Sequence, residues 1–129
     1  IGVTSSLTGV FGFPMRSAYA ASKHAMKGYF ESVGLEYASD GIKVTIAYPG
    51  FIKTPISVNS LSGDGSKHGK MDANQEKGMD ARTCALRYWK AVIRGKWETV
   101  IGGFDTIMVF FYRRLPFLYR FLGKRVSPV

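Results

Sequence analysis

The chain of 129 residues is short of the residue types that build several common architectures. It has a single cysteine, Cys84, which rules out an internal disulfide framework and a thiolate zinc cage, and no metal site is expected. No uncharged apolar run reaches the roughly 18–20 residues that a membrane-spanning helix needs. The nearest, residues 104–122, is interrupted by Asp105, Arg113, Arg114, Arg120 and Pro116. Acidic residues are scarce, nine against eighteen Lys and Arg, so the formal net charge is +9 and the partners to consider are anionic ligands, anionic membrane surfaces and nucleic acid. There is no internal repeat and no low-complexity segment. What remains is 46% hydrophobic and 14% aromatic, too apolar for a disordered polymer and sufficient for the core of one modest domain.

The basic excess is lopsided. Residues 1–66 hold five basic and four acidic residues, whereas residues 67–129 hold thirteen and five. Ile1 opens inside an apolar stretch without Met, a basic leader or a cleavage site, so the chain reads as a piece of a longer protein without a signal peptide. Its expected location is cytoplasmic or peripheral on an intracellular membrane.

Residues 1–5 read as the tail of a short apolar strand that enters a loop containing Gly9, Gly12 and Pro14. A helix follows, with Ser17 as N-cap, an inward stripe of Ala21, Ala25, Tyr29, Val33 and Tyr37, and Asp40-Gly41 as the stop. Ile42, Val44, Ile46 and Tyr48 then alternate along a buried strand that ends at Pro49-Gly50. Residues 59–78 are rich in Gly, Ser, Asp and Lys and read as an exposed loop of the length used for lids. Asp80 caps a second helix whose buried side is Ala81, Ala85, Tyr88, Trp89, Val92 and Ile93, and a strand follows at residues 99–101. Pro116 divides the last stretch into two short helical pieces. Three strands separated by helices give an α/β fold with a parallel sheet covered on both faces, and further strands are expected before Ile1.

Tyr19 and Lys23 are four apart on the first helix, which stacks them about 6 Å apart at Cβ. A phenol with a pKa near 10 is a poor acid or base at neutral pH, but an adjacent ammonium favours the phenolate and makes the proton exchangeable with a carbonyl or hydroxyl oxygen. Alone, the pair is weak: seven Tyr and ten Lys in this length give about half a Tyr-x-x-x-Lys match by chance. Ser6 lies thirteen residues before Tyr19 at the end of the first strand, and Pro49-Gly50-Phe51-Ile52-Lys53-Thr54 closes the next.

With those spacings the stretch from Ser5 to Lys23, together with Pro49 to Thr54, resembles the active-site region of the short-chain dehydrogenase/reductase family. The resemblance covers residues 1–103, which it implies are the C-terminal half of a Rossmann-type doubly wound domain of three α/β/α layers, leaving residues 104–129 as a basic aromatic extension. It implies an NAD(P)(H)-dependent oxidoreductase that moves a hydride between nicotinamide and a carbonyl or secondary alcohol. Tyr19 is then the general acid or base, Lys23 holds the nicotinamide ribose and lowers the tyrosine pKa, and Ser6 bonds the substrate oxygen. Such donors, aimed at an oxygen whose charge changes, stabilise the transition state beyond the ground state. Tyr19, Lys23, Pro49, Gly50, Ile52 and Thr54 contact the cofactor, the Ile52 backbone meeting the nicotinamide amide and Thr54 the carboxamide or phosphates. The Gly-rich turn, the Asn-Ala-Gly strand end and the catalytic Asn are expected before Ile1, as is the residue that selects NAD or NADP, of which NADP is preferred. Such a fragment is expected to be inactive alone, and the full-length protein to form a homo-oligomer. Arg16-Ser17-Ala18-Tyr19, Lys23-His24-Ala25, Gly63-Asp64-Gly65 and Gly69-Lys70-Met71-Asp72 are similar to the branch related to dehydrogenase/reductase member 7. Pro55 directly after Thr54 departs from the pattern and pushes Thr54 toward extended backbone.

Other candidates have plainer readings. His24 is one step off the Lys23 face and reads as packing or solvent contact, His68 as exposed loop, Ser5 as a strand-end hydrogen bonder, Cys84 as inert core and Ser22 as helix packing. Residues 59–79 read as a lid, its Lys67, Lys70 and Lys77 as solvated or as attractors of an anionic substrate. Phe110, Phe111, Tyr112, Leu115, Phe117, Leu118, Tyr119, Phe121 and Leu122, interleaved with Arg113, Arg114, Arg120, Lys124 and Arg125, suit a membrane interface, a substrate-pocket wall or a dimer contact. Nucleic acid is the poorer reading and no such partner is expected, because no recognition fold or stacking motif accompanies the basic charge. An inactive scaffold of the same fold and a peripheral membrane module remain as alternatives to the enzyme.

Overall fold

The computed structural model describes residues 1–61 and 64–123, so Ser62, Gly63 and residues 124–129, with Lys124 and Arg125 among them, lie outside the described residues. Strand β1 (Gly2–Thr4) leads through a 3-10 turn (Leu7–Gly9) to helix α1 (Ser17–Glu36) and strand β2 (Thr45–Pro49). Two-residue strands β3 (Ile52–Lys53) and β4 (Met79–Asp80) flank the short helix α2 (Ala73–Glu76). Helix α3 (Ala81–Ile93), strand β5 (Glu98–Ile101), a 3-10 turn (Phe104–Thr106), helix α4 (Ile107–Arg114) and helix α5 (Pro116–Gly123) complete the order.

The main sheet is β1-β2-β5, parallel throughout, with Val3 opposite Ile46 and Tyr48 opposite Val100. Central β2 is bonded on both edges and covered on both faces, so Thr45, Ile46, Ala47 and Tyr48 are all buried, as the unbroken apolar run requires. The register puts Val3, Val44, Ile46, Tyr48 and Val100 on one face, where Met26 and Phe30 of α1 and Met108 and Val109 of α4 pack. The opposite face receives α3, whose Tyr88 and Val92 close on Gly2. This is the mixed α/β arrangement of a parallel sheet flanked by helices, a partial Rossmann-type fold.

Several expectations need correction. Ser17 is the first residue of α1 and not its cap: the Pro14-Met15 turn, with Met15 at φ 57°, leaves Arg16 as the capping residue with no side-chain bond. The inward stripe of α1 is Ala20, Lys23, Met26, Phe30 and Gly34, one step from the expected one, and Tyr29 is 65% exposed. The cause is steric: Gly34 lets Trp97 and Val44 within contact of its backbone, where a larger residue would clash, and this fixes the inward line of the helix. On α3 the buried side centres on Ala91, with Cys84, Tyr88 and Val92 half-buried, while Trp89 and Ile93 are exposed. Residues 59–78 are not a featureless loop. Asp72 accepts from Asn74 N–H to cap α2, and β4 pairs parallel with β3. Asp80 caps α3 as expected, accepting from Thr83 N–H at 2.8 Å.

The stretch after Gly103 folds back on the domain. Tyr112 and Tyr119 lie edge to face at 5.2 Å, both pack on Phe11, and the Tyr119 hydroxyl donates to the Gly12 carbonyl. No helix among the described residues is long and apolar enough to cross a membrane.

Candidate active site

The site begins where β1 ends. Ser5 is buried and its Oγ donates to the Lys23 carbonyl at 3.1 Å, which ties the strand end to the second turn of α1. Gly9 completes the contact: a Cβ there would stand 2.3 Å from Ser5 Oγ and 3.0 Å from the Lys23 carbonyl oxygen. Ser6 then caps the 3-10 turn, its Oγ accepting from Thr8 N–H at 3.3 Å and from the Thr8 hydroxyl at 3.1 Å. Both are acceptor roles, so the Ser6 O–H remains available to donate outward.

On α1, the Lys23 ammonium sits 5.6 Å from the centre of the Tyr19 ring. It donates to the Thr4 carbonyl at 3.3 Å and approaches Met26 Sδ at 3.7 Å, so a third N–H is left for a ligand. Tyr19 is 41% exposed, its ring on the open side of the helix. Ser22 is exposed and bonds the Tyr19 carbonyl, and His24 Nδ1 lies 2.8 Å from the Ala20 carbonyl, so neither enters the cluster. Burial pushes the Cys84 thiol up from its ordinary range, the state of an unreactive sulfhydryl.

The second arm follows β2. Gly50 N–H donates to the Ile101 carbonyl at 2.8 Å, and Phe51 N–H donates to Asp105 Oδ2 at 2.7 Å. The other Asp105 oxygen accepts from Gly103 N–H at 2.9 Å, so one carboxylate clamps two turns at the C-terminal end of the sheet. Gly50 is obligatory under this clamp, because a Cβ would stand 1.7 Å from Asp105 Oδ2. Further along, Gln75 Nε2 donates to the Ile52 carbonyl at 3.1 Å and reaches Thr54 Oγ1 at 3.5 Å, while Thr54 Oγ1 leans on the same carbonyl at 3.4 Å. The Thr54 contacts are at the long limit and leave the hydroxyl able to take a better partner.

Asp105 and Gln75 were not singled out by the sequence. The signal for Gln75 was the capping residue Asp72, which marks a helix inside the supposed loop; Asp105 gave none for its bond to Phe51, which is 54 residues away. Two concavities, about 370 Å³ beside β5 and about 540 Å³ between α5 and the start of α1, are not lined by Ser6, Tyr19 or Lys23. Among the described residues no group of three or more His, Cys, Asp or Glu is placed to hold a metal.

The amino-acid sequence of the chain is similar to those of known proteins. The family profile described as short chain dehydrogenase covers residues 1–64. The chain belongs to that family. It is 41% identical over 120 residues to dehydrogenase/reductase SDR family member 7B of Danio rerio, which takes in 92% of this chain and 39% of the relative. It is 38% identical over 122 residues to dehydrogenase/reductase SDR family protein 7-like of Anopheles gambiae, 94% of this chain and 38% of the relative. The mouse member 7B is 36% identical over 123 residues. The chain thus spans about two fifths of the length of the curated relatives it matches.

Proposed function

We propose that the protein carrying this chain is an NAD(P)(H)-dependent oxidoreductase acting on a small carbonyl compound or secondary alcohol. In this reading residues 1–103 form the second half of its nucleotide-binding domain and residues 104–129 an extension. The observation that carries it is the placement of the Lys23 ammonium beside the Tyr19 ring on a helix that the Ser5–Gly9 turn locks in place. A bound nicotinamide dinucleotide supplies the hydride donor or acceptor. The residues present suit it: Lys23 has an N–H to spare for a ribose hydroxyl, Thr54 has a loosely held hydroxyl for a carboxamide, and Pro49, Gly50 and Ile52 stand at the C-terminal end of a parallel strand, where open α/β sheets receive ligands.

Tyr19 gives its proton to the substrate oxygen in reduction and takes it back in oxidation. Lys23 keeps its ammonium beside the ring throughout, and the Ser6 O–H donates to the same oxygen as its charge grows. Asp105 and Gln75 touch neither substrate nor cofactor in this scheme; they position the Gly50–Thr54 backbone. Exposed Tyr29, Leu35, Leu86, Trp89 and Ile93 on the outer faces of α1 and α3 support association with a second copy. The test uses the full-length protein: nicotinamide fluorescence on titration, then turnover of a panel of carbonyl compounds by the wild type and by Tyr19→Phe. Cofactor binding with turnover that Tyr19→Phe abolishes supports the reading. Binding without any turnover points instead to an inactive scaffold.

A further inference from the structure

A second surface, sharing no residue with Ser6, Tyr19, Lys23 or the Pro49 to Thr54 turn, stands out at the β5 edge. Arg87 of α3 and Arg113 and Arg114 of α4 line the 370 Å³ concavity there together with Phe110. Arg113 is compensated: its two terminal nitrogens bond both Glu98 oxygens, at 2.6 and 3.0 Å. Arg87 and Arg114 have no ion pair among the described residues. Helix α3 adds to the charge, because Arg87, Lys90 and Arg94 recur at i, i+3 and i+7 and share one side, and Ala81–Ile93 contains no acidic residue. Beside them, Phe104, Ile107 and Phe110 precede Arg114 at steps of three and four and are 87%, 38% and 57% exposed.

We propose that this α3–α4 edge docks on an anionic phospholipid bilayer. The Arg87 and Arg114 guanidiniums take lipid phosphate, for which their planar forked donors are suited, and Phe104, Ile107 and Phe110 enter the headgroup boundary. Charge selects this occupant: a second copy would bring the same cations face to face, whereas an anionic leaflet attracts them all. The aromatic rings argue for lipid over free phosphate, which gives an exposed phenylalanine nothing to bury against.

The test takes the full-length protein carrying Phe110→Trp, its emission read as the difference from a protein with Phe110 intact because Trp89 and Trp97 also emit, with vesicles of phosphatidylcholine alone or mixed with phosphatidylserine. Tryptophan emission is expected to shift to the blue with the mixed vesicles only, and the shift to vanish at high salt. Adding Arg87→Gln and Arg114→Gln should lower partition about fivefold per cation, roughly 30-fold together, with kcat unchanged. Phe104→Ser should weaken binding at fixed charge. Equal partition onto neutral vesicles, a partition indifferent to the Arg87 and Arg114 substitutions, competition by inorganic phosphate or a DNA duplex, or a shift that accompanies self-association in sedimentation without lipid would each overturn the proposal.

Discussion

The turn that carries Ser6 and the turn that carries Thr54 meet the ends of adjacent strands, yet they are fastened differently. The first is tied to α1 by contacts that end on backbone, Ser5 Oγ on the Lys23 carbonyl and Gly9 against the same peptide. The second is tied by two side chains brought from far along the chain, Asp105 on Phe51 and Gln75 on Ile52. Each tie joins a side chain to backbone, but the first is backed by the close approach of Gly9 to the Lys23 peptide, which yields only if α1 moves, whereas the second rests on two side chains each removable by one substitution. Chemistry and cofactor placement should therefore be separable by mutation, the first arm governing turnover and the second cofactor affinity.

The sharpest separation comes from the group proposed to exchange the proton. In the full-length protein, Tyr19→Phe should lower kcat by about 10²–10⁴-fold, the usual contribution of a positioned acid or base. Because Tyr19 is half exposed and loses only a hydroxyl, its stability should stay within about 0.5 kcal/mol of wild type in denaturant titration. A comparable loss of stability would mean that the hydroxyl is structural.

Glycine substitutions strain each arm directly. Gly9→Ala drives a methyl onto Ser5 Oγ, displacing the hydroxyl that holds Lys23, and presses on the Lys23 carbonyl, which cannot move without α1, so it should cost about 1–3 kcal/mol and reduce turnover. Gly50→Ala meets a carboxylate that can rotate away, so its damage should be the loss of the Asp105 clamp. Combining Gly50→Ala with Asp105→Ala should then cost little more than either alone, a non-additivity read from thermal midpoints of the three variants. Asp105→Ala by itself should raise the KM for the nicotinamide cofactor about tenfold while kcat stays within about twofold, and Asp105→Asn, which keeps an acceptor oxygen, should recover part of it. If kcat falls as far as KM rises, the two arms are not independent.

The same contrast explains what could be read from the sequence. Local relations were legible: the Tyr19 to Lys23 step, the distance back to Ser6, the alternation through Val44, Ile46 and Tyr48, the Asp80 cap. Each depends on a period or a spacing. The α1 stripe was misread because the choice between Ala20 and Ala21 as the inward position is made by Gly34 against Trp97, a contact over sixty residues of sequence. Strands β3 and β4 are two residues each, too short for any periodicity, and exist because Gln75 and the Met79 N–H bonds draw the segments together. Asp105 interrupts an aromatic stretch, and nothing near it in the sequence marks the Phe51 N–H, 54 residues away, from which it accepts. Gln75→Ala tests this part of the second arm: a neutral bond to one carbonyl is worth about 1 kcal/mol, so the cofactor KM should rise a few-fold, less than for Asp105→Ala.

Between the two arms lies Tyr48, on the strand both depend on, and it predicts the smallest effect at neutral pH and a distinctive one in alkali. Its hydroxyl is buried with no hydrogen-bond partner among the described residues. Burial, then the Glu98 and Glu31 carboxylates, pushes its pKa up to about 12. In the unfolded chain the phenol ionises near 10. Below that pH both states keep the proton and stability is unaffected; between about pH 10 and 12 only the unfolded state gives it up, so stability falls, by about 2–3 kcal/mol over the interval. Tyr48→Phe cannot ionise and should remove that loss, while at neutral pH it should be neutral or stabilising by under about 1 kcal/mol, since it deletes an unsatisfied hydroxyl. Urea titrations of wild type and Tyr48→Phe at pH 8 and pH 11 decide the matter. If the difference between the two proteins is the same at both pH values, the hydroxyl is not isolated from water in the folded protein and the strand between the arms is less tightly sealed than its packing implies.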